Sequence, residues 1–261
     1  MEEFMHEYVM THPIQTTLVY IPIYWTNLQN HPGFSKEKYN FLLQQAFKKM
    51  PPTTRYVTVV QHDDGPLLTL PKETIIFGAC TGTIPLPLIY EDVTNRLLTT
   101  PRQPKDQLAS FVGSITHPIR SELIQLFQNR SDVSCPIQTQ WTASVSDPAA
   151  EIFINETIRS KFCLAPRGYG RSSFRFFEAM QLDTIPVYFW DDEEWLPYRE
   201  HLDYFAFSVS ISKKEIGNTE ERLRGISDEK YQEMVRELQR VRHWFTLEGM
   251  AAYIRTQCEA Q

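Results

Sequence analysis

The chain has 261 residues, enough for one large domain or two modest ones, and its 42% hydrophobic and 22% charged content is that of a globular protein. A formal net charge of -6 argues against a general nucleic-acid or anionic-membrane binder, each of which needs a basic face, but leaves room for a local basic pocket. No apolar run approaches the roughly 20 residues that span a bilayer, and the acidic opening Met1-Glu2-Glu3 is unlike the basic start of a secretory leader.

Residues 17–22 form a β-rich run. Ser35 is placed to cap a helix running to about Met50, with Tyr39, Leu42, Leu43 and Phe47 on one face, and Pro51-Pro52 stops it. Tyr56–Val60 is the next strand, residues 74–79 a third and 86–89 a fourth. A strand at 108–112 precedes a helix over 118–127 whose leading proline suits its first turn. Residues 128–150 are polar and rich in Ser, Asp and Pro; they read as the crossover between domains, with room for a strand at 139–145. A short helix from Ile152 through Arg159 opens a second alternating series, with later strands at 185–189 and 205–210. Strands alternating with helices imply mostly parallel sheets joined by right-handed crossovers. The helix over 228–245 carries Tyr231, Met234, Val235, Leu238, Val241 and Phe245 at helical spacing, a core stripe, and Gly249 interrupts it before a last turn through Cys258. Cys80, Cys135, Cys163 and Cys258 lack zinc-like spacing and read as reduced thiols.

The most informative stretch is residues 162–179: a short apolar strand, a glycine-rich turn with Arg167, Gly168, Gly170 and Arg171, the serines Ser172 and Ser173 able to cap a helix, and the helix itself. Such a unit points backbone N–H groups and a helix N-terminus at the turn, with Arg175 near by. Pattern alone leaves two readings open, a seat for a diphosphate and an ordinary crossover with surface arginines.

Leu164-Ala165-Pro166-Arg167-Gly168-Tyr169-Gly170, with Ser173, Arg175, Glu178-Ala179 and Ile185-Pro186-Val187, closely resembles the signature of the exostosin family of glycosyltransferases, glycosyltransferase family 47. Leu196-Pro197 with residues 205–209, His62-Asp63-Asp64-Gly65-Pro66 after its strand, and Phe111-Val112-Gly113 followed by Ile119-Arg120-Ser121-Glu122-Leu123 are similar to three further segments of that family, in the family's order. The resemblance implies an α/β fold of GT-B type, two Rossmann-like domains facing across a cleft. Residues 1–140 would form the acceptor-side domain, 141–240 the nucleotide-sugar-binding domain, and 241–261 a helical segment crossing back to the first. It also implies an inverting transferase that moves a sugar from a UDP-sugar to a hydroxyl of an acceptor glycan; among the family's several donor sugars xylose is preferred only because a small, virus-like enzyme suits elaboration of a compact glycan. No metal or further cofactor is expected, because arginines and a helix dipole take the cation's place. Short anchorless relatives occur in large algal viruses, which points to a cytoplasmic enzyme; the alternative is a Golgi-lumenal one.

Such chemistry needs positive charge or N–H groups for the departing diphosphate, a group to hold the nucleoside, and a general base. Arg167 and Arg175 are the expected phosphate ligands, with Ser172, Ser173 and the backbone of Gly168 and Gly170, because arginine's planar fork binds phosphate oxygens bidentately. Arg120 is placed to join them. Arg171, Arg175 and Glu178 fall on one helical face, so Glu178 can take a ribose hydroxyl or form an ion pair with Arg175. Asp63, at the C-terminal end of a predicted strand, is the expected base, with His62 orienting it and Asp64 in reserve; the plain alternative is a polar turn. Asp191-Asp192-Glu193-Glu194 reads as a solvated loop beside the sugar pocket, with Trp190 and Trp195 able to stack or pack, and Tyr24-Trp25-Thr26 is similarly placed for an acceptor. Two competing readings are a manganese-dependent GT-A enzyme using Asp63-Asp64 or Asp191-Asp192, and a module that binds glycan or nucleotide without turnover.

Overall fold

The computed structural model of the protein describes residues 1–89, 94–138 and 146–261. In chain order its first elements are α1 (Glu2–Thr11), β1 (Val19–Tyr20), α2 (Trp25–Gln29), α3 (Lys36–Phe47), β2 (Tyr56–Val60), β3 (Ile75–Gly78) and β4 (Ile84–Pro85). There follow α4 (Thr94–Thr99), β5 (Gln107–Ser110), β6 (Gly113–Ser114), α5 (Pro118–Phe127), β7 (Val133–Ser134) and β8 (Ile137–Gln138). The chain ends with α6 (Asp147–Arg159), β9 (Ser160–Pro166), α7 (Phe174–Gln181), β10 (Ile185–Trp190), β11 (Val209–Ser212), α8 (Thr219–Arg224), α9 (Asp228–Val241) and α10 (Leu247–Glu259). The fold is α/β, and every strand pair among the described residues is parallel. The chain forms two compact units, each built on such a sheet. No helix among the described residues is long and apolar enough to cross a membrane.

The first unit comprises Met1–Leu88, Trp195–Pro197 and Leu247–Gln261. Its sheet runs β1-β2-β3-β4. All five residues of β2 are buried, as the unbroken apolar and threonine run of a central parallel strand demands. α10 is integral to this unit: Tyr253 packs edge-on against Phe77 at 6.4 Å. Thr16 Oγ1 donates to the Cys258 carbonyl at 2.8 Å, and Arg55 Nη2 donates to Gln261 Oε1 at 2.8 Å. The indole of Trp195 is buried here and its Nε1 donates to the Gly78 carbonyl at 3.1 Å. A methyl group on Gly78 would overlap the Thr81 carbonyl, which is backbone and cannot swing aside. Gly78→Ala is therefore expected to lower stability by about 2 kcal/mol, read from a chemical denaturation midpoint; an unchanged midpoint would show the Thr81 turn to be pliable.

The second unit comprises Ile89–Glu194 and Tyr198–Thr246. Its five-stranded sheet has the order β11-β10-β9-β5-β7. From β5 the chain goes outward to β7, then returns across β5 to β9 and proceeds the other way through β10 and β11. The winding thus reverses between β5 and β9, and open parallel sheets bind ligands beyond the carboxyl ends of the strands at such a reversal. β9 and β10 are almost wholly buried, and α7 lays Phe176, Phe177, Ala179 and Met180 against the core.

Several elements differ from expectation. The units divide at Leu88 rather than near residue 140, because β5 pairs with β9 at Ala109–Phe162 and Ser110–Cys163 and so belongs to the second sheet. The polar stretch read as a crossover contains β7 and β8; the strand expected at 139–145 lies outside the described residues. Pro148 lets α6 begin at Asp147, five residues before the expected start. α1 was not expected. α9 ends at Val241 and continues as a 3-10 turn over Arg242–Phe245, and α10 runs through Gly249, the break falling at extended Thr246.

Candidate functional site

The crevice beyond β5 and β9 is built from two loops of the second unit. After β9 come Arg167, Gly168, Tyr169, Gly170, Arg171, Ser172 and Ser173; after β5 and β6 come Ile115, Thr116 and His117. Gly168 allows them to meet: a methyl group on it would lie 3.0 Å from Arg120 Nη2 and 3.4 Å from Thr116 Oγ1. Arg120, buried on α5, holds the β9 loop by donating from Nε to the Arg167 carbonyl (2.9 Å) and from Nη1 to the Ser114 carbonyl (2.8 Å). Its placement is that of a loop clamp, with its cation spread over main-chain oxygens.

Arg175 is drawn inward. Its Nε donates to the Val112 carbonyl, its guanidinium lies over the Phe111 ring at 5.4 Å, and a methyl group on Gly113 would overlap it. Gly113 is thus the residue type that lets α7 dock on the end of β5. Glu178, one turn along, is desolvated with it: burial pushes its carboxyl above the usual range and the Arg175 charge pulls it back. Burial likewise works against the Arg175 charge, which Glu178 supports. Arg171 does not share their helical face, because α7 begins only at Phe174.

Arg167 and Arg171 instead face the turn after β10. Arg167 Nη1 donates to Asp191 Oδ1 (2.6 Å) and Asp192 Oδ1 (3.1 Å), its Nη2 donates to the Tyr169 carbonyl (3.1 Å), and Arg171 Nε donates to Asp192 Oδ2 (2.8 Å). Burial would raise the Asp192 carboxyl, but Arg171, the Glu193 N–H and Arg167 together hold it below the ordinary carboxylate range. The acidic run is therefore not a free solvated loop. Its last member, Glu194, accepts from Ser210 Oγ (2.6 Å) and Arg199 Nη2 (2.6 Å), and Ser210 in turn accepts from the Trp190 indole (3.1 Å). Among the described residues no group of three or more His, Cys, Asp or Glu side chains is arranged to hold a metal ion.

Among the described residues three buried donors of these loops find no partner: Arg167 Nε, Thr116 Oγ1 and Ser173 Oγ. Ser173 occupies the N-cap position of α7, yet its hydroxyl does not cap the helix. Ser172 and Gly170 are buried beside it. Thr116 and His117 were not singled out in the sequence, where neither belongs to a motif; only the winding of the sheet brings them to Arg167.

In the first unit, His62-Asp63-Asp64-Gly65 follows β2 as a tight turn. Gly65 N donates to the His62 carbonyl (3.0 Å), with Gly65 at a φ of 70 that favours glycine. Gln29 clamps the loop, donating from Nε2 to the Gly65 carbonyl (3.0 Å) and accepting from Leu67 N (2.6 Å). His62 Nδ1 accepts from Asp64 N (3.2 Å), so His62 shapes the turn, and it is the Cys80 thiol that donates to Asp63 Oδ1 (3.4 Å). Asp64 is exposed. Trp25 is buried with its indole on Thr58 Oγ1 (2.8 Å), and Thr26 holds the Glu2 carboxylate through its N–H (3.0 Å) and hydroxyl (3.0 Å). Of the Tyr24-Trp25-Thr26 trio only Tyr24 remains exposed.

Basic and hydroxyl side chains thus stand beyond the carboxyl ends of β5 and β9, where open parallel sheets commonly receive ligands. The model of the exostosin GT47 domain matches residues 70–226, which include the β9 loop and Arg120 and begin just after the Asp63 turn. Two proteins of Arabidopsis thaliana, the probable glycosyltransferases At5g25310 and At5g03795, are each 30% identical to this chain over 149 and 145 residues. Those stretches are 57% and 55% of this chain and 29% and 26% of the relatives, so the chain spans under a third of their length. A crystal structure of TarM superposes with a TM-score of 0.45 at 11% identity, covering 87% of this chain and 47% of that one. The chain belongs to the exostosin GT47 family of glycosyltransferases.

Proposed function

We propose that the protein transfers a sugar from a UDP-sugar to a hydroxyl of a glycan, with inversion at the anomeric carbon. The observation that carries the reading is the set of buried, partnerless donors, Arg167 Nε, Thr116 Oγ1 and Ser173 Oγ, gathered with Arg167, Arg171 and the start of α7 at the switch point. Buried donors cost stability while they stay unpaired. A diphosphate would satisfy them, and as the anomeric C–O bond breaks its electron pair would pass to phosphate oxygens already facing charge-assisted donors. Asp63 would take the proton of the attacking acceptor hydroxyl. Glu178, desolvated near the Arg175 charge, supports a place behind the donor site more than a free ribose contact.

The test is a thermal-shift and calorimetric screen of UDP, GDP, UDP-xylose, UDP-glucose, UDP-galactose, UDP-glucuronate and UDP-N-acetylglucosamine, with and without EDTA. Uridine nucleotides are expected to raise the melting temperature by mass action, equally in EDTA, and the best sugar names the donor. Arg167→Ala is expected to weaken UDP binding roughly tenfold to a hundredfold, the worth of a charge-assisted contact. No shift with any nucleotide, or unchanged affinity in Arg167→Ala, would dismiss the diphosphate seat.

A further inference from the structure

The geometry points to Asp191 as a built-in stand-in for a donor phosphoryl group, and to His117 as a donor-contacting residue that grips the same position from the side opposite Arg167. The inference rests on the diphosphate reading above. The Asp191 carboxylate is divided between two partners: Oδ1 accepts from Arg167 Nη1 at 2.6 Å, and Oδ2 lies 3.4 Å from His117 Nε2. A carboxylate and a phosphoryl group make the same demand on such partners, a pair of oxygens facing cationic or polar hydrogens.

His117 is fixed for that task. It caps α5, its Nδ1 accepting from Ile119 N at 3.4 Å. With Nδ1 an acceptor, the neutral ring carries its hydrogen on Nε2, the nitrogen turned to Asp191. Burial and the nearby Arg167 charge keep the ring below its ordinary pKa, against the pull of Asp191, so it meets an anion as a neutral donor.

A second observation is that the acids of the turn do not take up every donor of these loops. The acids of the turn satisfy Arg167 Nη1 and Arg171 Nε, yet they leave Arg167 Nε, Thr116 Oγ1 and Ser173 Oγ idle. We take them as the further partners of an anion with more oxygens than a carboxylate. Donor entry therefore displaces Asp191, and the self-bound state competes with it, lowering apparent affinity by the fraction of molecules already open.

The two residues then act in opposite directions, which a structural role for both would not produce. Calorimetry with UDP and with inorganic pyrophosphate is expected to show Asp191→Asn binding each roughly fivefold to tenfold more tightly, as for a seat self-occupied about nine-tenths of the time. His117→Asn, which keeps a good helix cap but removes the Nε2 donor, should bind both several-fold more weakly at an unchanged melting temperature. Equal or weaker binding by Asp191→Asn would overturn the stand-in, making its carboxylate an orienting partner of Arg167. Unchanged binding by His117→Asn would remove His117 from the seat. Arg167→Ala separates the levels: if it too leaves binding intact, the diphosphate reading has failed, whereas if it alone abolishes binding, only the present inference falls.

Discussion

Arg175→Ala is expected to lower the melting temperature by roughly 5–10 °C, because it removes a charged group's hydrogen bond to the Val112 carbonyl, worth about 1.5–3 kcal/mol, together with its contact on Phe111. The guanidinium ties α7 to the end of β5 through the Val112 carbonyl and the face of Phe111, in the space that Gly113 leaves. Its removal also takes away the nearby charge that pulls back the Glu178 carboxyl, which burial pushes upward. Arg175→Ala combined with Glu178→Gln should recover only the part of the loss due to charge, and the double-mutant cycle separates that electrostatic coupling from the carbonyl and ring contacts. A drop of only a degree or two, with UDP affinity reduced instead, would mean that the side chain works outward on phosphate as its place in the signature suggested.

The other large effect is chemical. Asp63→Asn should cut transfer roughly a hundredfold or more, the usual cost of losing a general base, while UDP affinity stays as in the parent. Asparagine fits the same turn, keeps an oxygen for the Cys80 thiol and removes only the proton acceptor. The turn is rigidly held by Gln29 and Gly65, so the substitution tests chemistry more than folding. Initial rates alongside calorimetry decide it. Near-parental turnover would move the base elsewhere, and the exposed Asp64 is the first residue to examine next.

What could be read from the chain was what depends on neighbours in sequence. Ser35 accepts from Lys38 N at the start of α3, and the apolar stripe of α9 is buried at Tyr231, Met234, Leu238 and Val241, because capping and helical spacing are local rules. The β9, α7 and β10 unit is legible for the same reason. The order of the second sheet is not: β5 looks like a continuation of the first series until its pairing with β9, some fifty residues on, assigns it. The destinations of the arginines are equally nonlocal. Arg167 and Arg175 look alike in the signature, yet Gly113 admits one to the interior and the turn after β10 captures the other. His117 carries no sequence signal, since its meaning comes from Asp191, seventy-four positions away and 3.4 Å distant.

The division of the chain into Met1–Leu88, Trp195–Pro197 and Leu247–Gln261 on one side, and the two intervening stretches on the other, means that the backbone passes from one unit to the other four times. Neither unit can therefore be exchanged between relatives as a single cassette. A chimera that replaces residues 89–246 as one block imports a foreign tripeptide under the Gly78 carbonyl, and one that stops at residue 246 without α10 strips Phe77 of its edge-on tyrosine. Grafts that respect this threading keep residues 195–197 and 247–261 with the recipient, and exchange only the two segments between them.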